Sequence, residues 1–432
     1  MDKPLRLENG STVAIVGGGP AGSACAITLI REARRTGLAL KVTLFESKDF
    51  KVHYNQCVGV LSPPLTDILE SELGLSLPTG LVKREIYAYR LHSKNNEVLL
   101  VGKNTSGPTF TVRRLLFDAF LLEQAQAMGV EVVRSRVSDI EFVRSDRSDE
   151  VRIYSDSGYL RAAAVVGAFG LDEAMLSAFE RATKNSVGYR RPSKYLRTFI
   201  TKFHADKVFI EQKLGNIIYA FLMPDSVSRV EFGAITPKGD HLIINIAGRE
   251  VTSLDMDKFL ELPQVRAHLP PFDRDSLHYF EGKFPIAPAK NPYGDRFVLV
   301  GDATGWMRPF KGKGVNIALL TGIRAARIMV RRGLAEEDLA QYARDCKELL
   351  DDYYFGVGVR LFCRWASKNG LFDRLVELGK IDPVLYDSLF DSVSGQASFK
   401  DIIKRNFNRH LFKKLGAVFF ANYLRPGQAR QY

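Results

Sequence analysis

Hydrophobic positions along the chain alternate between strand and helix periods. Thr12–Val16 is a short strand-type run, residues 24–32 carry helical spacing, and Lys41–Phe45 is a second strand-type run. Residues 111–128 read as a helix, with Thr111 as N-cap and Gly129 as its end. Short strands follow at 130–133, 139–143 and 151–154, with a turn at Asp156-Ser157-Gly158. Two blocks, 85–101 and 196–247, alternate polar and apolar side chains, as in "LRTFITKFHA" and "HLIINIAG". That alternation predicts half-buried antiparallel strands. A further strand at 297–300 leads into an apolar helix from Val315, and helical patterns dominate from residue 335, with breaks near Gly370 and Pro383.

Composition narrows the class. The chain has 432 residues, 46% of them hydrophobic, enough for more than one core. Its four cysteines, Cys25, Cys57, Cys346 and Cys363, form no CxxC pair. Neither a disulfide framework nor a metal site is expected, and a reducing compartment fits. The start of the chain does not read as a leader, and no run of about 18 apolar residues predicts a membrane span. The net charge of +12 is uneven, because residues 401–432 hold seven Lys/Arg and one Asp. No zinc-finger spacing or aromatic RNP motif accompanies this charge, so nucleic acid is not expected as a partner. On a helical wheel Phe407, Leu411, Leu415 and Val418 share a face roughly opposite Arg405, Arg409 and Lys413. Such a basic amphipathic segment suits an anionic membrane surface. The expected location is the cytoplasm, with peripheral membrane contact through this segment.

The clearest chemistry lies near the start, in "STVAIVGGGPAGSACAITLI". Gly17, Gly19 and Gly22 give G-x-G-x-x-G between a strand and a helix, and Ala21 lies in the same turn. Gly17 permits the tight turn, Gly19 lets a pyrophosphate approach the backbone, and Gly22 lets helix and strand pack closely. The helix N-terminus adds N–H groups and a favourable dipole. The second strand ends in Glu46, 24 positions after Gly22, close to the roughly 20 expected of a ribose-binding carboxylate. A second motif, "VGDATGWMRPFKGKGVNIAL", places Asp302 at a strand end. Asp302 can accept hydrogen bonds from ribityl hydroxyls. The N–H groups following Gly312 and Gly314, up to Val315, can face the pyrimidine edge of a flavin. Together the motifs point to FAD, bound without a covalent link.

At these residues the chain resembles flavoproteins of the p-hydroxybenzoate hydroxylase fold, and within them the geranylgeranyl reductase family. A third matching stretch is "VRRLLFD", where Arg114 matches the family's flavin-contacting Arg and Phe117-Asp118 its Phe-Asp pair. The resemblance runs over about residues 11–333. The expected fold is α/β: a Rossmann-like FAD-binding domain (11–84, 111–185, 286–334) with an inserted antiparallel-sheet substrate domain (85–110, 186–285) and a helical C-terminal region (335–432). One departure is "VVGAFG", which has Phe169 where the superfamily's G-A-D-G motif has Asp. That change weakens the hydroxylase reading and puts direct reduction by NADPH in doubt. In the sheet block the family's Y-x-W-x-F-P motif is softened to Tyr219-Ala-Phe221-Leu-Met223-Pro224. Tyr219, Phe221 and Met223 would share one strand face. With the resemblance, that face is expected to wall a pocket for an apolar chain.

The stretch "HYNQCVGVL", 53–61, corresponds to the family's Cys-Gly-rich loop beside the flavin ring, with Val58 in place of a Gly. The resemblance implies a reductase of C=C bonds in a long isoprenoid chain carried on a lipid or quinone. Such a reaction places a hydride on one carbon and a proton on the other, so it needs a positioned acid. Cys57 is the first candidate and Tyr54 the second. Lys311 and Lys313 flank Gly312, and a cation there would favour an anionic reduced flavin. The alternative is a flavin monooxygenase or halogenase acting on an aromatic substrate. The electron donor stays open between NAD(P)H and a ferredoxin-like protein.

Overall fold

The computed structural model describes residues 5–50, 52, 57–102, 107–143, 150–223, 226–309 and 313–406. His53, Tyr54, Lys311, Gly312 and the segment 407–432 lie outside them.

A six-stranded sheet carries the first motif. Its order is Tyr293–Gly294, Phe297–Leu299, Ala164–Gly167, Thr12–Val16, Lys41–Phe45, Glu131–Val133. All neighbours are parallel except the outermost pair, Tyr293–Gly294 with Phe297–Leu299. Thr12–Val16 is buried on both faces, which explains its unbroken apolar run. Val13 and Ile15 pack with the helices Pro20–Arg35, Arg114–Ala127 and Gly314–Arg331. Ala14 and Val16 pack on the opposite side, under the small sheet Val137–Val143, Glu150–Ser155, Gly158–Ala162 and the helix Glu173–Ala182.

A seven-stranded sheet forms the second layer. Its order is Tyr279–Pro285, Tyr195–His204, His241–Gly248, Phe232–Pro237, Ile217–Phe221, Ala88–His92, Glu97–Val101. The expectation of a wholly antiparallel sheet is corrected at one place. Ile217–Phe221 runs parallel to Ala88–His92. The chain between these two strands passes through the first sheet before returning, and only such a long crossover can bring a strand back in parallel.

The helix expected over 111–128 also starts later. Thr109–Val112 is a strand paired with Val60–Leu61 and Val82–Ile86, and the helix begins at Arg114 behind Arg113. The β-branched T-F-T-V run favours the pleated pairing. Thr111 Oγ1 bonds the carbonyls of Arg84 and Pro237 instead of capping a helix.

The C-terminal helices Lys347–Lys368, Leu371–Gly379, Pro383–Ser394 and Phe399–Asn406 cover the Ala88–His92 end of the large sheet. A buried ion pair pins the longest of them: Arg360 Nε and Nη2 each reach Glu231 at 2.5 Å. Among the described residues no helix is long and apolar enough to cross a membrane.

Two helices of the first layer cross at very close range. A Cβ on Gly322 would meet the carbonyl oxygen of Ala21 at 2.2 Å and the amide nitrogen of Cys25 at 3.1 Å. Both contacts are with backbone and cannot rotate away. Gly322→Ala should therefore force the helices apart and cost about 1–3 kcal/mol. The expected result is a lower Tm in thermal unfolding.

Candidate functional site

The site grows from the glycine turn. Gly17 has φ +108°, and a Cβ there would meet Ala168 O at 2.5 Å. A Cβ on Gly22 would collide with Gly17 O at 1.9 Å. Gly19 differs, since a Cβ there would meet nothing within 4 Å, and its backbone faces an open cavity. The helix that follows has Pro20 in its first turn and no side-chain cap, so its first N–H groups are left for a ligand. Glu46 ends the second strand with its carboxylate on the turn: Oε2 accepts from Gly18 N at 2.9 Å and Oε1 from Lys48 N at 2.7 Å.

The second motif reaches the same cavity. Asp302 sits in the short turn Gly301–Thr304 after the Phe297–Leu299 strand. A Cβ on Gly314 would stand 3.8 Å from Asp302 Oδ1, so the strand end and the next helix start adjoin. Gly314 and Val315 both line the cavity. Burial raises the Asp302 carboxyl above the usual carboxylate range, against the pull of Arg114. Arg114 Nε bonds Asp118 Oδ1 at 2.7 Å. Burial alone would lower the guanidinium, but Asp118, Cys57 and Asp302 around it more than offset this and hold it above its ordinary value.

Cys57 stands on the cavity wall next to Arg114. Its Sγ accepts from Arg114 Nη1 at 3.6 Å and from Gly59 N at 3.4 Å. Two buried lysines belong to the same region, Lys238 near Cys57 and Lys313 on the cavity wall. Lys238 donates to Val112 O at 2.8 Å, beside Gly59, and burial lowers it to about 8. Lys313 lines the cavity and donates to Pro63 O; burial, then Arg308, lower it to about 7. Asn316 Nδ2 reaches Ser62 O at 3.1 Å. Lys313 and Asn316 thus clamp the Ser62-Pro63 segment onto the start of the Gly314–Arg331 helix. Lys238 and Asn316 escape a reading of the sequence, since one lies in a turn-like "TPKGDH" and the other inside an apolar helix.

The cavity measures about 1460 Å³ and continues from the glycine turn to the large sheet. There Leu91, Ile218, Ala220, Phe232, Ala234 and Val393 give it an apolar wall. The face expected to line it is corrected. Tyr219 and Met223 are buried behind the sheet, in a core with Met256, Phe259 and Leu260. Tyr219 Oη bonds Lys213 O at 3.0 Å on that far side. Phe221 touches the cavity, but its ring stacks on His92 at 4.6 Å. The alternation holds, but Ile218 and Ala220 rather than Tyr219 and Met223 meet the cavity, because this central strand is packed on both faces. Phe169 lines the cavity where the superfamily has Asp, packed at 5.2 Å on Phe179. A dinucleotide fits this donor set, with an open glycine turn, an uncapped helix start and two carboxylates around one cavity.

No protein-family model matches the chain. Among curated proteins, the chloroplastic geranylgeranyl diphosphate reductase of Nicotiana tabacum is 24% identical over 348 residues, 76% of this chain and 69% of that protein. A digeranylgeranylglycerophospholipid reductase of Methanococcus vannielii is 24% identical over 359 residues, 79% of this chain and 83% of that one. Among solved structures, a geranylgeranyl bacteriochlorophyll reductase-like protein from Thermoplasma acidophilum has a TM-score of 0.72 at 17% identity. That match covers 95% of this chain and 100% of the other. Flavin-dependent halogenases share the fold as well. In sequence the chain resembles geranylgeranyl reductases, and it shares the Rossmann-type fold of these flavoproteins.

Proposed function

We propose that the protein is an FAD-dependent reductase that saturates C=C bonds in a long isoprenoid chain on a lipid or quinone. One observation carries this reading: a single cavity joins the dinucleotide turn to an extended apolar wall, and Cys57 is on its surface. An apolar chain without hydrogen-bonding groups suits the wall of Leu91, Ile218, Ala220 and Phe232. The names of the sequence relatives support the same substrate class.

A reduced flavin, when bound, supplies the hydride. Gly17, Gly19 and Ala21 would hold its pyrophosphate, Glu46 its ribose, and Asp302 its ribityl chain. Arg114, Gly314 and Val315 would face the ring. Cys57 would give the proton to the second alkene carbon. Its sulfur accepts from two N–H groups, so a proton it carries is available to a ligand in the cavity. The apolar wall excludes water that would otherwise compete as acid.

Reduced protein mixed anaerobically with a geranylgeranyl lipid should yield product heavier by one dihydrogen per saturated bond. A long-lived oxygen adduct, with halogenation or hydroxylation of an aromatic acceptor, would favour the halogenase-type alternative and overturn this reading. Purified protein should be yellow. Asp302→Ala should raise the FAD dissociation constant about tenfold or more, read by fluorescence titration. Cys57→Ser should keep its flavin but slow single-turnover oxidation by substrate about 10²-fold or more, since a hydroxyl is a far weaker acid than a thiol. An unchanged rate would remove Cys57 from the mechanism.

Lys313 has a pH signature. Its folded value, about 7, lies below the unfolded value of about 10.4. Between them the unfolded chain binds more protons, so the contribution of Lys313 to stability rises with pH. Lys313→Met removes the buried charge. The Tm of the variant relative to wild type should be most favourable below pH 7 and lose that advantage steadily toward pH 10. A difference independent of pH would show that Lys313 does not titrate in this window.

A further inference from the structure

The helix Lys347–Lys368 is held by one face only. Tyr353 Oη bonds Ile286 O at 2.9 Å, Gly356 packs where a Cβ would meet Pro309 and Phe399, and Arg360 is locked to Glu231. On the opposite side Tyr354, Leu361, Phe362 and Trp365 are 63%, 51%, 44% and 53% exposed. With Gly358 and Lys368, which are also exposed, they span about 120° of arc. Nothing in the described fold covers this stripe, whereas Asp352, Tyr353, Gly356, Arg360 and Ala366 of the same helix are buried.

Beyond Asp352 the helix itself carries only basic charge; Arg360 and Arg364 share the buried Glu231, while Lys368 is exposed. From Tyr353 to Gly370 the sequence contains Arg360, Arg364 and Lys368 and no Asp or Glu. Asp351, one turn earlier, is taken up by Lys347 at 2.7 Å. The helix Phe399–Asn406 packs against this one, and the 26 residues after it contain five Lys/Arg and no acid. Tyr and Trp beside Leu and Phe, flanked by Arg and Lys, is the composition that settles at the boundary between headgroups and acyl chains.

We propose that the Tyr354-Leu361-Phe362-Trp365 face is a docking surface for an anionic lipid bilayer, with Lys368 at the headgroups. Such docking bears on the lipid reading above, since it would bring the protein to substrate dissolved in a membrane. Binding is measured without turnover, so failure of one reading is separable from failure of the other.

The chain has two tryptophans, and Trp306 is only 4% exposed, against Tyr342. Trp365 therefore reports on the face by itself. Full-length flavin-loaded protein should sediment at low salt with vesicles of phosphatidylglycerol and phosphatidylcholine, and much less with phosphatidylcholine alone. Its tryptophan emission should shift to the blue and be quenched by brominated acyl chains. Trp365→Phe should abolish the shift and the quenching. The double variant Leu361→Ser, Phe362→Ser should keep its flavin and fold while its vesicle affinity falls about tenfold or more. Three results would overturn the proposal: no binding of wild type to anionic vesicles, binding with Trp365 unquenched, or a wild-type dimer that the double variant dissociates. The second would move the contact to another surface, such as residues 407–432, and the third would make the face an interface between copies.

Discussion

The close crossing of the Pro20–Arg35 and Gly314–Arg331 helices is the constraint on which the cofactor end depends. Gly322 sits on the Ala21 carbonyl, and a Cβ on Gly301 would meet Ala21 Cβ at 3.1 Å. Each helix presents its N-terminus to the same cavity, one after the glycine turn and one after Asp302. Two helix starts and two strand ends converge because small residues let the backbones approach closely. The arrangement follows a general rule for open α/β sheets, in which ligands sit beyond the carboxyl ends of the strands.

The second sheet turns that cofactor cradle into a larger chamber. Its strand Ile217–Phe221 packs on both faces, with Tyr219, joined by Met223 just beyond the strand, in a core behind the sheet and Ile218 and Ala220 on the cavity. The helix Pro383–Ser394 supplies Val393 to the same wall. The C-terminal region therefore contributes to the cavity as well as covering the sheet. Its longest helix is anchored through Glu231, and that anchor decides which of its faces reaches solvent.

Several buried cations lie at the cavity wall or just behind it. Lys313 and Lys238 each lean on a backbone carbonyl, Arg114 on Asp118, and Arg308 on Asp352 at 2.8 Å. Burial lowers both lysines, so their charged state is held at a cost near neutral pH. An anion in the cavity would relieve that cost, and a dinucleotide brings two phosphates.

The sequence by itself determined what depends on local spacing. The strand Thr12–Val16, the glycine turn, Glu46 at the next strand end and Asp302 before a helix could all be read, because each lies within a single strand-turn-helix unit. Cys57 could be singled out as a thiol in a polar loop, but its neighbours could not. Arg114 is 57 positions away from Cys57 and Lys238 is 126 positions from Val112, and only folding joins them. The start of the helix after Thr109–Val112 was misplaced because the strand partners of that segment lie elsewhere in the chain. The face of Ile217–Phe221 was misassigned because period-2 spacing says which residues share a side, not which side meets a cavity. That choice belongs to the parallel pairing with Ala88–His92 and to the helices packed on either face, which a one-dimensional pattern does not encode.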